Sequence, residues 1–327
     1  MASQRELGWE VIDGGGGGNF IGVALRQWKA DVIHFHWLHP YLLRDSRMGS
    51  VLRSTRFLLE VMLLKFRGTR IAWTIHNLSN HDGRQAGVEL FFTIIFAQFV
   101  DVPIAHSREA ASLAAKEFKM LSERILVLPH PGYCGHYPDT ISREEARSRF
   151  GYVEDERVFL FLGRIQPYKG IFDLLEAFSS LPQNCRLLIA GSPSDEATTE
   201  RLREAATHDP RIQFHPGHVE QEQVQWFFRA ADVVVFPFRK ILTSGSVMLA
   251  MSFGMPLILP DGDTLREVVG DGEALWFFPG SIEALKEKML KSIQAELDFK
   301  GSRNYAIAST LTWKAMAISL IQGYARS

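Results

Sequence analysis

The chain has 327 residues, enough for two domains of ordinary size, with the 46% hydrophobic and 22% charged content of a globular protein. A formal net charge of −1 gives no basis for nucleic-acid binding, and two cysteines, Cys134 and Cys185, form no disulfide framework. The polar start MASQRELGWE lacks the apolar core of a signal peptide, and the longest apolar segment, Val88–Val100, is too short to span a bilayer and contains Glu89 and Gln98, so a cytoplasmic location is expected.

Gly8–Ile12 reads as a first strand and the glycine run Gly14–Gly18 as a linker or mobile loop, because regular structure there costs too much entropy. Strands are predicted at Asp31–His36, Arg70–Ile75, Val102–Ala105 and Ile125–Leu128. Helices are predicted at Arg53–Lys65, Val88–Val100 and Ser107–Phe118, with Ser107 as N-cap. Pro129, Pro131, Gly132, Gly135 and Pro138 then crowd together as an interdomain connection. Ser142–Phe150 is a short helix with a capping box, Ser142 to Glu145.

The second half alternates regularly. Strands are expected at Val158–Leu162, Arg186–Ala190, Ile212–Phe214, Val233–Phe236, Leu257–Leu259 and Ala274–Phe277, with helices between them. The spacing predicts two doubly wound parallel-sheet, Rossmann-like domains facing a cleft, 1–135 and 136–311. A last helix at 312–327 presents Trp313, Met316 and Leu320 on one face, toward a partner that spacing alone does not name.

Two stretches carry chemistry. In VFLFLGRIQPYKGIF, a wholly apolar strand ends at Gly163, Arg164 and Lys169 flank a short loop, and Gly170 opens a helix. Two cations thus stand beside unpaired helix N–H groups, the makings of an anion site; an ordinary strand-to-helix turn gives the same pattern. In ADVVVFPFRKILTSGSVMLAMSFGMP, Thr243, Ser244, Gly245 and Ser246 fall at the start of a second helix, as a phosphate cradle or as a plain helix cap.

Together these segments resemble the GT-B glycosyltransferases, specifically the group 1-like, nucleotide-sugar-dependent enzymes. Gly163–Arg164 and Lys169–Gly170 match a GR-x-x-x-x-KG turn, and Ala231–Pro237 with Gly254–Pro256 match ADV…P and GxP. The resemblance implies a GT-B fold with a shortened N-terminal domain, and a hexosyltransferase that takes a nucleotide-diphosphate sugar as co-substrate and uses no cofactor or metal. It implies that Arg164 and Lys169 neutralise the donor diphosphate as it leaves, aided by Thr243–Ser246. It departs in one respect: Ile241 and Leu249 stand where retaining members carry a pair of glutamates. That favours an inverting mechanism, which needs a general base from the first half.

WTIHNLSNHDGR, after a predicted strand, supplies Asp82 as that base and His76 to position the sugar; the alternative for Asp82 is an Asp-Gly turn. His36, His130 and Arg239 are expected to line the cleft. His34, His36, His39, His76 and His81 match no standard zinc spacing, so no metal is expected. Between Arg44 and Arg70, Arg44, Arg47, Arg53, Arg56, Lys65, Arg67 and Arg70 interleave with Leu52, Phe57, Leu58, Val61, Met62, Leu63, Leu64 and Phe66. That pattern suits an anionic membrane surface, hence the inner face of the membrane, or an ordinary solvated helix. The expected partners are a nucleotide sugar and a glycan or lipid-linked glycan acceptor, in polysaccharide biosynthesis. The competing class is a non-catalytic GT-B-shaped binding protein. A dehydrogenase is disfavoured because no G-x-G-x-x-G follows a strand.

Overall fold

A computed structural model describes residues 1–14, 29–80, 83–270 and 274–326. Residues 15–18 of the glycine run lie outside them, as do His81 and Asp82. The chain divides into two units, Met1–His130 with Trp313–Ser327, and Pro131–Thr312.

In the first unit, β1 (Val32–Phe35), β2 (Arg70–Thr74), β3 (Val102–Ala105) and β4 (Leu126–Val127) pair in that order, all parallel. β3 is buried along its whole length, which is why its sequence is uniformly apolar. The Arg47–Phe66, Ala86–Phe99 and Arg108–Phe118 helices accompany the strands, the first and last capped by Ser46 and Ser107.

Gly8–Ile12 does not form the expected strand. A short helix, Ala2–Glu6, precedes it, and Gly8 at φ +85° donates its N–H back to Arg5 and closes that helix instead. Trp9 then rests on the ring of Tyr324, 5.8 Å between centroids.

Tyr324 belongs to the last helix, Trp313–Arg326, whose Ala317, Leu320 and Tyr324 are buried. Leu320 and Tyr324 pack with Ala72, Val102, Ile104 and Leu128, and Tyr324 Oη lies 2.8 Å from His34 Nδ1. The C-terminal helix therefore belongs to the first unit, across nearly two hundred residues of intervening chain.

The second unit contains β5 (Arg157–Leu162), β6 (Cys185–Gly191), β7 (Ile212–Pro216), β8 (Val233–Val235), β9 (Leu257–Pro260) and β10 (Ala274–Phe277). They run parallel in the order β10-β9-β8-β5-β6-β7. The chain builds outward from β5 to β7, then returns to start again beside β5. The strand order thus reverses between β5 and β8, the place where open α/β sheets leave a crevice at their carboxyl ends. The opposite ends of these two strands are tied by Asp232, which accepts from Val158 N at 2.7 Å and pairs with Arg147 at 2.8 Å and with Arg143. The acid of the ADV sequence is thus structural.

Candidate functional site

The carboxyl ends of β5 and β8 bring both chemical stretches together. Gly163 follows β5 at φ +144°, and a Cβ there would lie 2.7 Å from Ser246 Oγ. Gly170, at φ +75°, caps the Ile171–Ser179 helix and lies so close to Pro237 that a Cβ would sit 1.9 Å from its carbonyl oxygen. Both glycines are therefore required by left-handed backbone and by close approach of the β8 loop. Across the same junction Arg239 makes a two-pronged ion pair with buried Asp173, at 2.6 and 2.8 Å. Arg239 is thereby committed to holding the β8 loop on the helix that follows β5.

Arg164 and Lys169 differ from Arg239. Neither has a carboxylate partner among the described residues; Lys169 Nζ lies 5.9 Å from the centre of the Phe238 ring. Burial, and then the neighbouring Arg164 charge, pull the Lys169 pKa down to about 8. Two cations held close without an internal counter-charge favour an anion. Ser244 caps the Gly245–Ser252 helix by accepting from Val247 N at 3.2 Å, so the cap reading is correct for Ser244. Gly245 and Ser246 are the first two helical residues, whose N–H groups have no carbonyl partner within the helix. Thr243 precedes the cap, half-buried.

The first unit carries something else at its carboxyl edge. A histidine follows each strand: His36 after β1, His76 after β2, His106 after β3 and His130 after β4. Strands in a sheet lie about 4.8 Å apart, so residues at matching depth form a row. The ring centroids of His36 and His76, of His76 and His106, and of His106 and His130 are each 5.3 Å apart. His34 stacks beneath His36 at 4.4 Å, and Trp37 stacks on His76 at 4.7 Å.

Burial disfavours charge on three members of the row, His36, His76 and His106, and on His34 beside it. Burial, before the repulsion of neighbouring rings, pulls the pKa of His34 to about 3, of His76 to about 2 and of His106 to about 4; burial and then the N-terminal charge lower that of His36. His36 Nδ1 and His76 Nε2 are 3.0 Å apart, so one donates a hydrogen and the other accepts it. His106 donates from Nδ1 to Leu128 O at 2.9 Å, which leaves its buried Nε2 as a lone pair without a partner. No group of metal-ligating side chains suited to an ion occurs among the described residues.

The loop after β2 is anchored by Glu89, the one acid on the largely apolar Ala86–Phe99 helix and buried. Its carboxylate accepts from Asn80 N at 3.0 Å and Asn80 Nδ2 at 2.6 Å, and burial raises its pKa. Sequence reasoning missed both His106 and Glu89. The recurrence of histidine after successive strands marks the first, and a lone acid inside an apolar helix marks the second.

The family model for glycosyl transferases group 1 matches residues 142–309, about half the chain. The chain belongs to that family. Similarity extends beyond the matched half. A GDP-mannose:glycolipid 4-beta-D-mannosyltransferase of Xanthomonas campestris is 26% identical over 277 residues, 82% of this chain and 72% of that protein. A D-inositol 3-phosphate glycosyltransferase of Xylanimonas cellulosilytica is 30% identical over 255 residues, 74% of this chain and 58% of that protein. Among solved structures, Anabaena Alr3699/HepE in complex with UDP-glucose superimposes with a TM-score of 0.75 at 14% identity, covering 94% of this chain and 82% of its own. Sucrose-phosphate synthase from Thermosynechococcus elongatus gives 0.72 at 19% identity, over 94% and 76%. The group 1 transferase described here thus has the GT-B fold, two parallel-sheet α/β domains, and is a hexosyltransferase.

Proposed function

We propose that this transferase moves a hexose from a nucleoside-diphosphate sugar to a glycan or lipid-linked glycan, with inversion at the anomeric carbon. The observation that carries the donor reading is the pair Arg164 and Lys169, two cations without carboxylate partners among the described residues, at the strand-order reversal. A diphosphate there gains charge-assisted hydrogen bonds from both and from the Gly245 and Ser246 N–H groups. Charge builds on the diphosphate as the sugar leaves, so these contacts strengthen in the transition state.

GDP-mannose and a glycolipid are the first donor and acceptor class to test, given the name of the Xanthomonas relative. That name also specifies a β product, which from an α-linked donor means inversion. Ile241 and Leu249 in place of the glutamate pair agree with inversion. Asp82 is our proposed base and His76 the group that orients the sugar. Asp82 follows Asn80, which Glu89 holds, by two positions in sequence.

A lipid-linked acceptor also accounts for the Arg47–Phe66 helix. Phe57, Leu58, Val61 and Leu64 are buried, whereas Met48, Leu52, Leu59, Met62, Leu63 and Phe66 face outward, Phe66 at 91% exposure. With the basic residues around it, this outward stripe suits peripheral contact with an anionic membrane on the cytoplasmic side. No helix among the described residues is long and apolar enough to cross a membrane.

A thermal-shift panel of UDP-, GDP- and ADP-sugars tests the donor reading. One class should raise the melting temperature of the wild type and not of the Arg164→Ala, Lys169→Ala double variant. No shift with any nucleotide sugar overturns it. The absent glutamate pair also favours a second reading, a GT-B-shaped binding protein without turnover. It predicts the same thermal shift but no release of nucleoside diphosphate in the presence of acceptor.

A further inference from the structure

A hollow in the first unit, beside the histidine row, holds two groups that the donor chemistry does not use. It is lined by His36, Trp37, His39, His76, Ser79 and Glu89 among others, and by no lysine or arginine among the described residues. We propose that this hollow binds one pyranose ring of the acceptor, with Trp37 as the stacking platform and Glu89 as the hydroxyl acceptor. The proposal rests on the transferase reading above and adds to it the acceptor subsite.

Trp37 is 45% exposed, unusual for the largest apolar side chain next to a buried sheet. One ring face is fixed against His76, at 4.7 Å and 20° between planes, so the indole is held in place. A pyranose has one face of C–H groups and a rim of hydroxyls. Its weakly positive C–H face suits the negative π-face of an indole, while its rim needs donors and acceptors close by.

Glu89 supplies the acceptor. Oε2 takes both hydrogen bonds from Asn80, and among the described residues Oε1 takes none. A carboxylate buried on a helix with Phe92 and Phe96 is costly unless its lone pairs are used, and Asn80 uses only one oxygen. Two hydroxyls on adjacent ring carbons can share such an oxygen. The neutral imidazoles of His36 and His76 add donors or acceptors without charge.

The same chemistry argues against other ligands. A phosphate or a nucleotide diphosphate finds no cation among the described residues of this lining and meets a carboxylate. A purely apolar ligand would leave Glu89 and the imidazoles unpaired. An uncharged polyhydroxyl ring satisfies both.

Saturation-transfer NMR with methyl α-D-mannopyranoside and methyl β-D-glucopyranoside as probes tests the subsite on the full chain. The wild type should show transfer from at least one glycoside. Trp37→Ala should weaken that binding at least tenfold, Trp37→Phe should restore most of it, and Glu89→Gln should weaken it while leaving the fold intact by circular dichroism. The Kd for the nucleotide sugar, titrated in parallel, should stay within about twofold in Trp37→Ala. Glycoside binding that is absent in the wild type, or unchanged in Trp37→Ala, overturns the proposal. A parallel loss of nucleotide-sugar binding in Trp37→Ala also overturns it, because the platform would then serve the donor. If the wild type binds glycosides but no nucleotide sugar, the donor reading fails and the subsite stands.

Discussion

Two parallel sheets in this chain place opposite chemistry at the same structural position. Past β5 and β8, the carboxyl edge of the second unit holds Arg164 and Lys169, beside a helix N-terminus and without counter-charges among the described residues. Past β1 to β4, the carboxyl edge of the first unit holds a row of four imidazoles, and burial favours the neutral form of His36, His76 and His106. The first arrangement is costly until an anion arrives. The second gains nothing from an anion and suits hydroxyl groups. The fold thus supplies the position, at the ends of parallel strands, and the side chains decide which part of a substrate it takes.

The largest expected effect separates chemistry from binding. Asp82→Asn should reduce turnover about 10²–10⁴-fold while leaving donor affinity within twofold. NMR of the product should show an inverted anomeric centre; a retained configuration, or full activity in Asp82→Asn, removes Asp82 from the mechanism.

Next comes the charged edge. Arg164→Ala and Lys169→Ala should each weaken donor binding about 10- to 100-fold, the range for a charge-assisted hydrogen bond of about 1.5–3 kcal/mol. The free protein loses the Lys169 proton as pH rises through about 8. A bound diphosphate favours the protonated form, so donor affinity should fall with pH above about 8 in the wild type. In Lys169→Arg the alkaline fall should vanish. Calorimetric titration from pH 7 to 9.5 reads this directly, and a flat wild-type profile would show that Lys169 does not meet the phosphates.

The neutral edge predicts the reverse pH dependence, in stability. The folded pKa values of about 3 for His34, 2 for His76 and 4 for His106 lie below the unfolded value of 6.5. Below pH 6.5 the unfolded chain gains protons that the folded chain does not, so stability falls from pH 6.5 down to about 4 for His106, about 3 for His34 and about 2 for His76. Each such histidine contributes up to about 1.4 kcal/mol per pH unit. His106→Gln should therefore lower the melting temperature at pH 7 by more than at pH 4.5. An equal loss at both pH values would show that His106 titrates normally.

The smallest effect concerns the outward stripe of the Arg47–Phe66 helix. Sedimentation with phosphatidylglycerol vesicles should exceed that with neutral vesicles and decline with salt. Leu63→Ser with Phe66→Ser should reduce it severalfold. Equal, negligible sedimentation with both vesicle types would leave an ordinary solvated helix.

Sequence alone determined the local structure. Apolar runs specified most strands of the second unit, the Ser142–Glu145 pair specified a capping box, and the glycines at 163 and 170 specified tight turns. These are short-range matters of burial period, capping geometry and left-handed backbone, so neighbouring residues suffice. The diphosphate-binding candidates were legible for the same reason, since each is a strand end followed by a helix start.

Tertiary structure decided the rest. Which of two apolar stripes on Arg47–Phe66 turns inward is not a property of its period, because both repeat at helical spacing. Strand order brought Gly163 against Ser246 and Asp173 against Arg239, residues more than sixty positions apart. Parallel register set His36, His76, His106 and His130 in one row, although they are spread over more than ninety positions. The last helix returned to place Tyr324 on His34. Each of these contacts is made by residues that share no local signal, and only the pairing of distant strands and helices brings them within reach.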